Sequence, residues 1–112
     1  MVVAEDGTVY FESDGEIYEV TEEGPQSLGL TGLSYIAGMA IAPDGSLYVA
    51  DCPNATSTIK RIDLESKTVS TPALTPAVTL SETLGGMLFD DTGALLVVDG
   101  DKGKFHRLTL PL

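Results

Sequence analysis

Acid–base catalysis by an imidazole is one chemistry that this chain could perform. His106 is the only histidine in the sequence, so an imidazole base is available at a single position. A catalytic histidine needs an orienting carboxylate and a nucleophile within hydrogen-bond reach, and the sequence indicates no specific residue for either role. We therefore predict no catalytic residue.

The thiol chemistry of the chain rests on one residue. Cys52 is the only cysteine, and Pro53 follows it in a predicted loop. One cysteine cannot form an internal disulfide, and a zinc site with four protein ligands is not expected from this chain. We interpret Cys52 as incidental to function.

One acidic segment resembles a fragment of a calcium-binding loop: DGDKG, residues 99 to 103. A complete loop also needs a third side-chain ligand and a glutamate near its twelfth position, where this sequence has Leu110. The other interpretation is a polar connection in which Asp99 accepts backbone N–H bonds, as Asp51 would in its own segment. We predict no cofactor, and Ca²⁺ or another divalent ion is the alternative.

Acidic residues dominate the charge of the chain: 17 Asp and Glu against 6 Lys and Arg give a net charge of −11. Affinity for nucleic acids comes mainly from cations that neutralise phosphates, so we exclude nucleic acid as a partner. An anionic membrane surface is disfavoured for the same reason. The acidic surface suits either cationic partners or a domain that is simply well solvated.

Neither a membrane span nor a signal peptide is predicted. No apolar run approaches the ~18 residues that cross a bilayer. Residues 1 to 6 lack the basic and long apolar regions of a signal peptide. We therefore expect a soluble chain and leave its compartment open.

An internal repeat is the main signal for the elements that position these residues. Three segments align: VVAEDGTVYFESDGEIYEV at 2–20, GMAIAPDGSLYVADCPNATSTIKRID at 38–63, and GMLFDDTGALLVVDGDKGKFHRLTL at 86–110. Each has an apolar stretch, an acidic-Gly turn, a β-branched or aromatic stretch, a polar loop and a further short apolar stretch. The equivalent turn glycines, Gly45 and Gly93, are 48 residues apart, and Gly7 precedes Gly45 by 38. This period is the size of a four-stranded propeller blade.

The fold class predicted from this repeat is all-β. No stretch has the apolar spacing of an amphipathic helix, and strand signals recur about every 8 to 12 residues. Pro43-Asp44-Gly45 is typical of a tight hairpin turn. We predict a single partial β-propeller domain over residues 1–112, made of about three four-stranded antiparallel blades at about 1–30, 36–72 and 84–112. The last blade lacks its outer strand in this alignment.

The second repeat resembles the NHL repeat in AGMAIAPDGSLYVADCPNATSTIKRID. The matching features are the glycine and alternating apolar residues, the Asp-Gly turn, the Tyr-Val-Ala-Asp stretch, and the later Asn and Ile. The third repeat is a weaker copy, and the first is weaker still because Ser13 stands where the others have Asp51 and Asp99. The resemblance implies a β-propeller, a fold that hosts binding modules and enzymes alike.

The related senescence-marker, gluconolactonase and strictosidine synthase-like propellers share this blade pattern. Resemblance to their lactonases implies metal ligands just before the glycine of an inner strand, but Ala37 and Gly85 stand there in this chain. Val2 and Val3 occupy the region where a glutamate would complete that pattern. Because a hard cation needs oxygen ligands, we predict no metal site in these blades.

A binding surface is predicted where the loops between second and third strands meet the links that enter the inner strands. These loops are 12–16, 51–58 and 99–104, and they give an acidic rim suited to a cationic peptide or a metal-bridged ligand. The candidate binding residues are Glu12, Asp14, Asp51, Asn54, Asp99 and Asp101.

Two functions follow from the sequence. The first is a non-catalytic module that binds a protein or small-molecule ligand. The alternative is part of a lactonase-like or esterase-like hydrolase whose metal site lies in blades not present here. A propeller has about four to eight blades, so three leave apolar end faces. We expect these faces to meet further blades of a longer chain, a second copy in a homodimer, or a capping partner.

Overall fold

The computed structural model of the chain describes residues 2–30, 33–52, 56–72, 80–81, 84–100 and 103–109. Every helix or strand within these ranges is a β-strand, and all strand pairs are antiparallel. The predicted all-β class is therefore confirmed. The strands form three small sheets, which we number in chain order.

Sheet 1 is a four-stranded meander in the order β1-β2-β3-β4. Its strands are β1 (Val2–Val3), β2 (Val9–Ser13), β3 (Glu16–Thr21) and β4 (Gly24–Ser27). The turn between β2 and β3 consists of Asp14 (φ 52°) and Gly15 (φ 79°). Positive φ at both central residues suits the twist of a two-residue hairpin. The predicted loop 12–16 is accordingly shorter in the structure, since β2 continues to Ser13 and β3 begins at Glu16.

Sheet 2 has the order β5-β6-β7-β8, and a short further strand, β9, pairs with the start of β7. Its strands are β5 (Ile36–Ile41), β6 (Leu47–Asp51), β7 (Thr56–Asp63), β8 (Thr68–Ser70) and β9 (Leu80–Ser81). Thr56 is opposite Ser81, and Thr58 is opposite Asp51. These pairings extend β7 into the predicted loop 51–58, which is again shorter than expected.

Sheet 3 has the order β10-β11-β12, with β10 (Leu84–Phe89), β11 (Leu95–Asp99) and β12 (Lys104–Leu108). Its first strand repeats an irregularity of β5: the register shifts between Ile36 and Gly38 and between Leu84 and Gly86. Gly38 also allows β10 to approach β5, because a Cβ on it would lie 2.9 Å from the sulfur of Met87.

The same tight turn joins the first two strands of every sheet. Its glycine N–H donates to the carbonyl oxygen three residues earlier, over 2.9 Å in sheets 1 and 2 and 3.2 Å in sheet 3. The glycine φ is 91°, 91° and 88° in chain order, a region that costs other residues backbone strain. An aspartate carboxylate in each turn accepts a backbone N–H bond. The glycines are Gly7, Gly45 and Gly93.

Sheet 2 lies between the other two sheets and packs on both. Successive residues of a strand point to opposite faces, so β6 sends Leu47 and Val49 toward sheet 1 and Tyr48 and Ala50 toward sheet 3. All five residues of β6 are buried. This explains why the strand is apolar throughout rather than alternating.

Candidate functional site

The connections of the three sheets lie on two opposite edges of the stack. We call the edge with the tight turns 4–8, 42–46 and 90–94 the turn edge. The opposite edge has the connections from β2 to β3, from β6 to β7 and from β11 to β12, and we call it the loop edge. The predicted binding surface is the loop edge.

Two of the predicted binding residues, Glu12 and Asp14, are exposed at the loop edge. They lie at the end of β2 and in the turn that follows it. The neighbouring Glu16 accepts a hydrogen bond from the Tyr18 hydroxyl over 2.8 Å. Asn54 and Asp101 lie outside the described residues.

Asp51 lies inside the protein, with 1% of its surface exposed. One carboxylate oxygen accepts the backbone N–H of Ser34 over 2.7 Å, and the other accepts Lys60 Nζ over 2.8 Å. Next to it, the Cys52 N–H donates to the Tyr35 carbonyl over 2.7 Å. These bonds attach the end of β6 to the segment before β5, so the carboxylate holds the loop edge together.

Asp99 occupies the equivalent position at the end of β11 and is fully buried. It also has an interaction partner within the chain. Its burial and that of Asp51 distinguish these two residues from the exposed pair in sheet 1. Both aspartates are the last residue of an apolar second strand, where the first repeat has Ser13.

His106 lies on β12 opposite Val97, on the face of sheet 3 that packs against sheet 2. Its Nε2 is buried and has no hydrogen-bond partner among the residues that the structure describes. Its environment is thus a packed strand face rather than an open cleft.

The structure gives no metal cluster within the described ranges: no three His, Cys, Asp or Glu side chains there come together around one point. Ala37, at the place where the lactonase resemblance implies a ligand, packs its methyl group against the core between sheets 2 and 3. Gly85 falls at the matching register shift of β10.

A groove of about 690 Å³ lies at the turn edge between sheets 2 and 3, where no binding residue is predicted from the sequence. Its apolar floor contains Tyr48 and Phe89, whose rings meet edge to face with centroids 5.1 Å apart. The other lining residues are Ala42, Pro43, Asp44, Arg61, Ser70, Pro72, Asp91, Thr92 and Gly93.

A second depression, of about 330 Å³, adjoins this groove. Ala42, Pro43 and Phe89 line both depressions. Glu5 and Asp90 line the second depression. The two depressions together present an apolar floor within a mainly acidic rim.

The carboxylates at the groove accept hydrogen bonds from groups in their own turns. The backbone N–H of Ser46 donates to the Asp44 carboxylate over 2.9 Å and is the main cause that lowers the pKa of that carboxyl, with a smaller contribution from Arg61. The Arg61 guanidinium lies 3.5 Å from Asp44, and both groups are partly exposed. An exposed pair of this kind contributes about 0–1 kcal/mol.

Asp90 is bonded more extensively in the equivalent turn. It accepts hydrogen bonds from the Thr92 hydroxyl over 2.6 Å, from the N–H groups of Thr92 and Ala94 over 2.9 and 3.0 Å, and from Arg107 Nε over 3.2 Å. The Thr92 hydroxyl is the leading cause that lowers the pKa of Asp90 from 3.8 to about 2. The carboxylate is therefore ionised throughout the neutral range.

Comparison with known proteins supports the fold only. No family model matches the chain, and no curated protein sequence matches it. Among solved structures, hydrazine synthase of Kuenenia stuttgartiensis is similar, with a TM-score of 0.56 and 16% identity over 97% of this chain. The chain spans about a third of that protein, 34% of its length. Within the described residues, no helix has the length and apolarity needed to cross a membrane.

Proposed function

We propose that the chain is a segment of an NHL-type β-propeller that acts as a non-catalytic binding module. Three antiparallel sheets in chain order, the same tight turn in each, and sheet 2 packed on both faces support this proposal. The NHL-like residues at 37–63 provide the sequence argument.

The binding site of this module is the groove at the turn edge together with the adjoining depression. The main support for this site is the apolar floor around Tyr48 and Phe89, which carboxylates border. Pockets that bind small ligands combine an apolar lining with a few placed polar groups. At the loop edge, the Asp51 carboxylate is already engaged by Ser34 and Lys60.

The chemistry of the site favours a ligand with an apolar body and a cationic group. Glu5, Asp44, Asp90 and Asp91 line the two depressions, whereas Arg61 is the one basic residue in their linings among the residues that the structure describes. The net charge of −11 attracts cations at long range. A peptide in which an aromatic residue is next to Lys or Arg has these properties.

Nuclear magnetic resonance titration tests this function with two small peptides. We expect the probe acetyl-Phe-Arg-amide to shift the backbone amide signals of Gly45, Thr92 and Gly93. The matched peptide acetyl-Phe-Glu-amide has the same aromatic group and the opposite charge, and we expect it to leave them unchanged at equal concentration. Equal amide shifts with both peptides, or no shift with either, would contradict this ligand class.

Charge reversal locates the site on the molecule. Asp91→Lys places a cation in the groove, and we expect it to weaken binding of acetyl-Phe-Arg-amide about tenfold. Asp14→Lys makes the same change of charge at the loop edge and is the matched control, with an expected effect of less than about twofold. If the two variants exchange these effects, the ligand binds at the loop edge instead.

A further inference from the structure

Sheet 3 exposes an apolar face on the side away from sheet 2. We call it the trailing face, and it consists of Leu88, Leu96, Val98 and Phe105. Leu88, Val98 and Phe105 are strongly exposed, and Phe105 has 62% of its surface open. Their strand neighbours on the other face pack against sheet 2. Exposed apolar patches of this kind commonly mark interaction surfaces.

Sheet 1 exposes a second apolar face on the side away from sheet 2. We call it the leading face, and it consists of Val3, Val9, Phe11, Tyr18 and Val20. Val3 has 58% of its surface exposed. The rings of Phe11 and Tyr18 stack with centroids 5.2 Å apart, which gives this face a broad aromatic centre.

The repeat shows what the leading face is built to contact. The residues two and four positions after the turn glycine are Leu47 and Val49 in sheet 2, and they pack toward sheet 1. In sheet 3 the same positions hold Leu95 and Val97, which pack toward sheet 2. In sheet 1 these positions belong to the leading face. The leading face therefore corresponds to the surface with which sheet 2 packs on sheet 1 and sheet 3 packs on sheet 2.

The same comparison applies to the trailing face. The residue three positions after the turn glycine is Tyr10 in sheet 1 and Tyr48 in sheet 2, and each packs toward the following sheet. Ala50, two residues further, does the same. The equivalents of Tyr48 and Ala50 in sheet 3 are Leu96 and Val98 on the trailing face. The two exposed faces are thus the two unlike halves of one interface, which occurs twice inside the chain.

We propose that two copies of this chain associate head to tail, with the trailing face of one copy packed on the leading face of the next. The contact continues the sheet-on-sheet packing that already joins sheet 1 to sheet 2 and sheet 2 to sheet 3. Such an interface is heterologous, since it joins two different surfaces. A contact between two like faces would match aromatic leading face to aromatic leading face, a pairing that the repeat never uses.

Charge sets the conditions for this association. Each copy carries a net charge of −11, so the copies repel one another while the apolar faces attract. Salt screens repulsion between exposed charges and leaves apolar burial intact. Association therefore tightens when NaCl rises from about 0.05 M to about 0.5 M.

Sedimentation of the chain at about 100 µM, far above a micromolar dissociation constant, tests the contact. We expect a mass of at least about twice the 11.7 kDa of one copy. The fraction of associated chains should be larger at the higher salt concentration. A monomer at high salt, or an assembly that salt dissociates, would overturn the proposal. The monomer result would fit faces that are covered by further sheets of a longer polypeptide.

Two variants, each altering one face, give the decisive result. Phe105→Glu places a charge on the trailing face, and Val20→Glu places one on the leading face. We expect each variant alone to be monomeric, while an equal mixture forms a dimer through the one intact pair of faces. A mixture that stays monomeric would contradict a heterologous contact, as would a variant that associates as the unchanged chain does.

Controls separate these effects from unfolding. Thr71 is exposed and belongs to neither face, so Thr71→Glu adds the same charge and leaves the mass of the assembly unchanged. Both test positions are exposed, and we expect melting temperatures of the monomeric variants within a few degrees of each other. Formation of the mixed dimer itself also shows that both variants are folded.

Discussion

At the loop edge of the stack the carboxylate of Asp51 lies inside the protein, whereas at the turn edge Asp44 and Asp90 lie in hairpin turns that solvent reaches. The buried carboxylate joins segments 17 residues apart in the chain. The turn carboxylates bond mainly to groups two to four residues away, and each also contacts an arginine 17 residues away at the surface. The loop edge is thus held by a buried carboxylate, and the turn edge mainly by local bonds that leave its surface open to a ligand.

Removal of the buried Asp51 carboxylate is expected to lower the stability of the protein the most. Asp51→Ala leaves the Lys60 ammonium and the Ser34 N–H without the oxygens that they contact. Loss of one partner of a buried ion pair costs about 3–5 kcal/mol. Because Lys60 is partly exposed, we expect the free energy of unfolding to fall by about 3 kcal/mol in urea denaturation.

The matched control makes the same substitution at the turn edge. Asp44→Ala removes a partly exposed carboxylate with one backbone bond and one surface ion pair, and we expect a loss of about 1 kcal/mol. Equal losses at the two positions would show that the loop edge has no special dependence on its aspartate.

Glycine substitutions measure how closely each edge is packed. Gly15 has φ 79°, and a Cβ on it would overlap the backbone carbonyl oxygen of Ser34. We expect Gly15→Ala to lower the free energy of unfolding by about 2 kcal/mol or more, from backbone strain and this overlap together. Thermal unfolding followed by circular dichroism measures the difference.

Gly93 is the matched position at the turn edge. Its φ is 88°, but nothing lies within 4 Å of an added Cβ, so Gly93→Ala carries the strain without the overlap and costs about 1 kcal/mol. A larger loss at Gly93 than at Gly15 would mean that the turn edge, and not the loop edge, is the tightly packed one.

The turns and the all-β class could be predicted from the sequence because their causes are local. The aspartate and the glycine of each turn specify it through the φ of the glycine and the side-chain bond of the aspartate. The strand after each turn follows from its apolar residues. The predicted loop 51–58 is longer than the observed one, because β7 is extended by its pairing with β9, whose residues are 25 and 23 positions away.

The burial of Asp51 and the groove could not be predicted in this way. An aspartate at the end of an apolar strand fits an exposed loop residue and a buried one equally well. Only the positions of Ser34 and Lys60, set by folding, decide between them. The groove likewise depends on the packing of two sheets, since Tyr48 and Phe89 are far apart in sequence and adjacent in space.

The pH dependence of stability shows how much the local bonds of the turn edge contribute, and we expect this effect to be small. Asp90 has its pKa lowered to about 2 by hydrogen bonds that favour the ionised carboxylate. Since the folded pKa lies below the unfolded value of 3.8, this stabilisation is fully present above about pH 4 and is lost as pH falls toward 2. Asp90→Asn should remove that part of the pH dependence, so its melting temperature should fall less steeply than that of the unchanged chain over this range. Asp91→Asn removes the adjacent carboxylate, which accepts none of these bonds, and should follow the unchanged chain; parallel curves for all three proteins would show that the bonds to Asp90 contribute nothing to the stability of the turn edge.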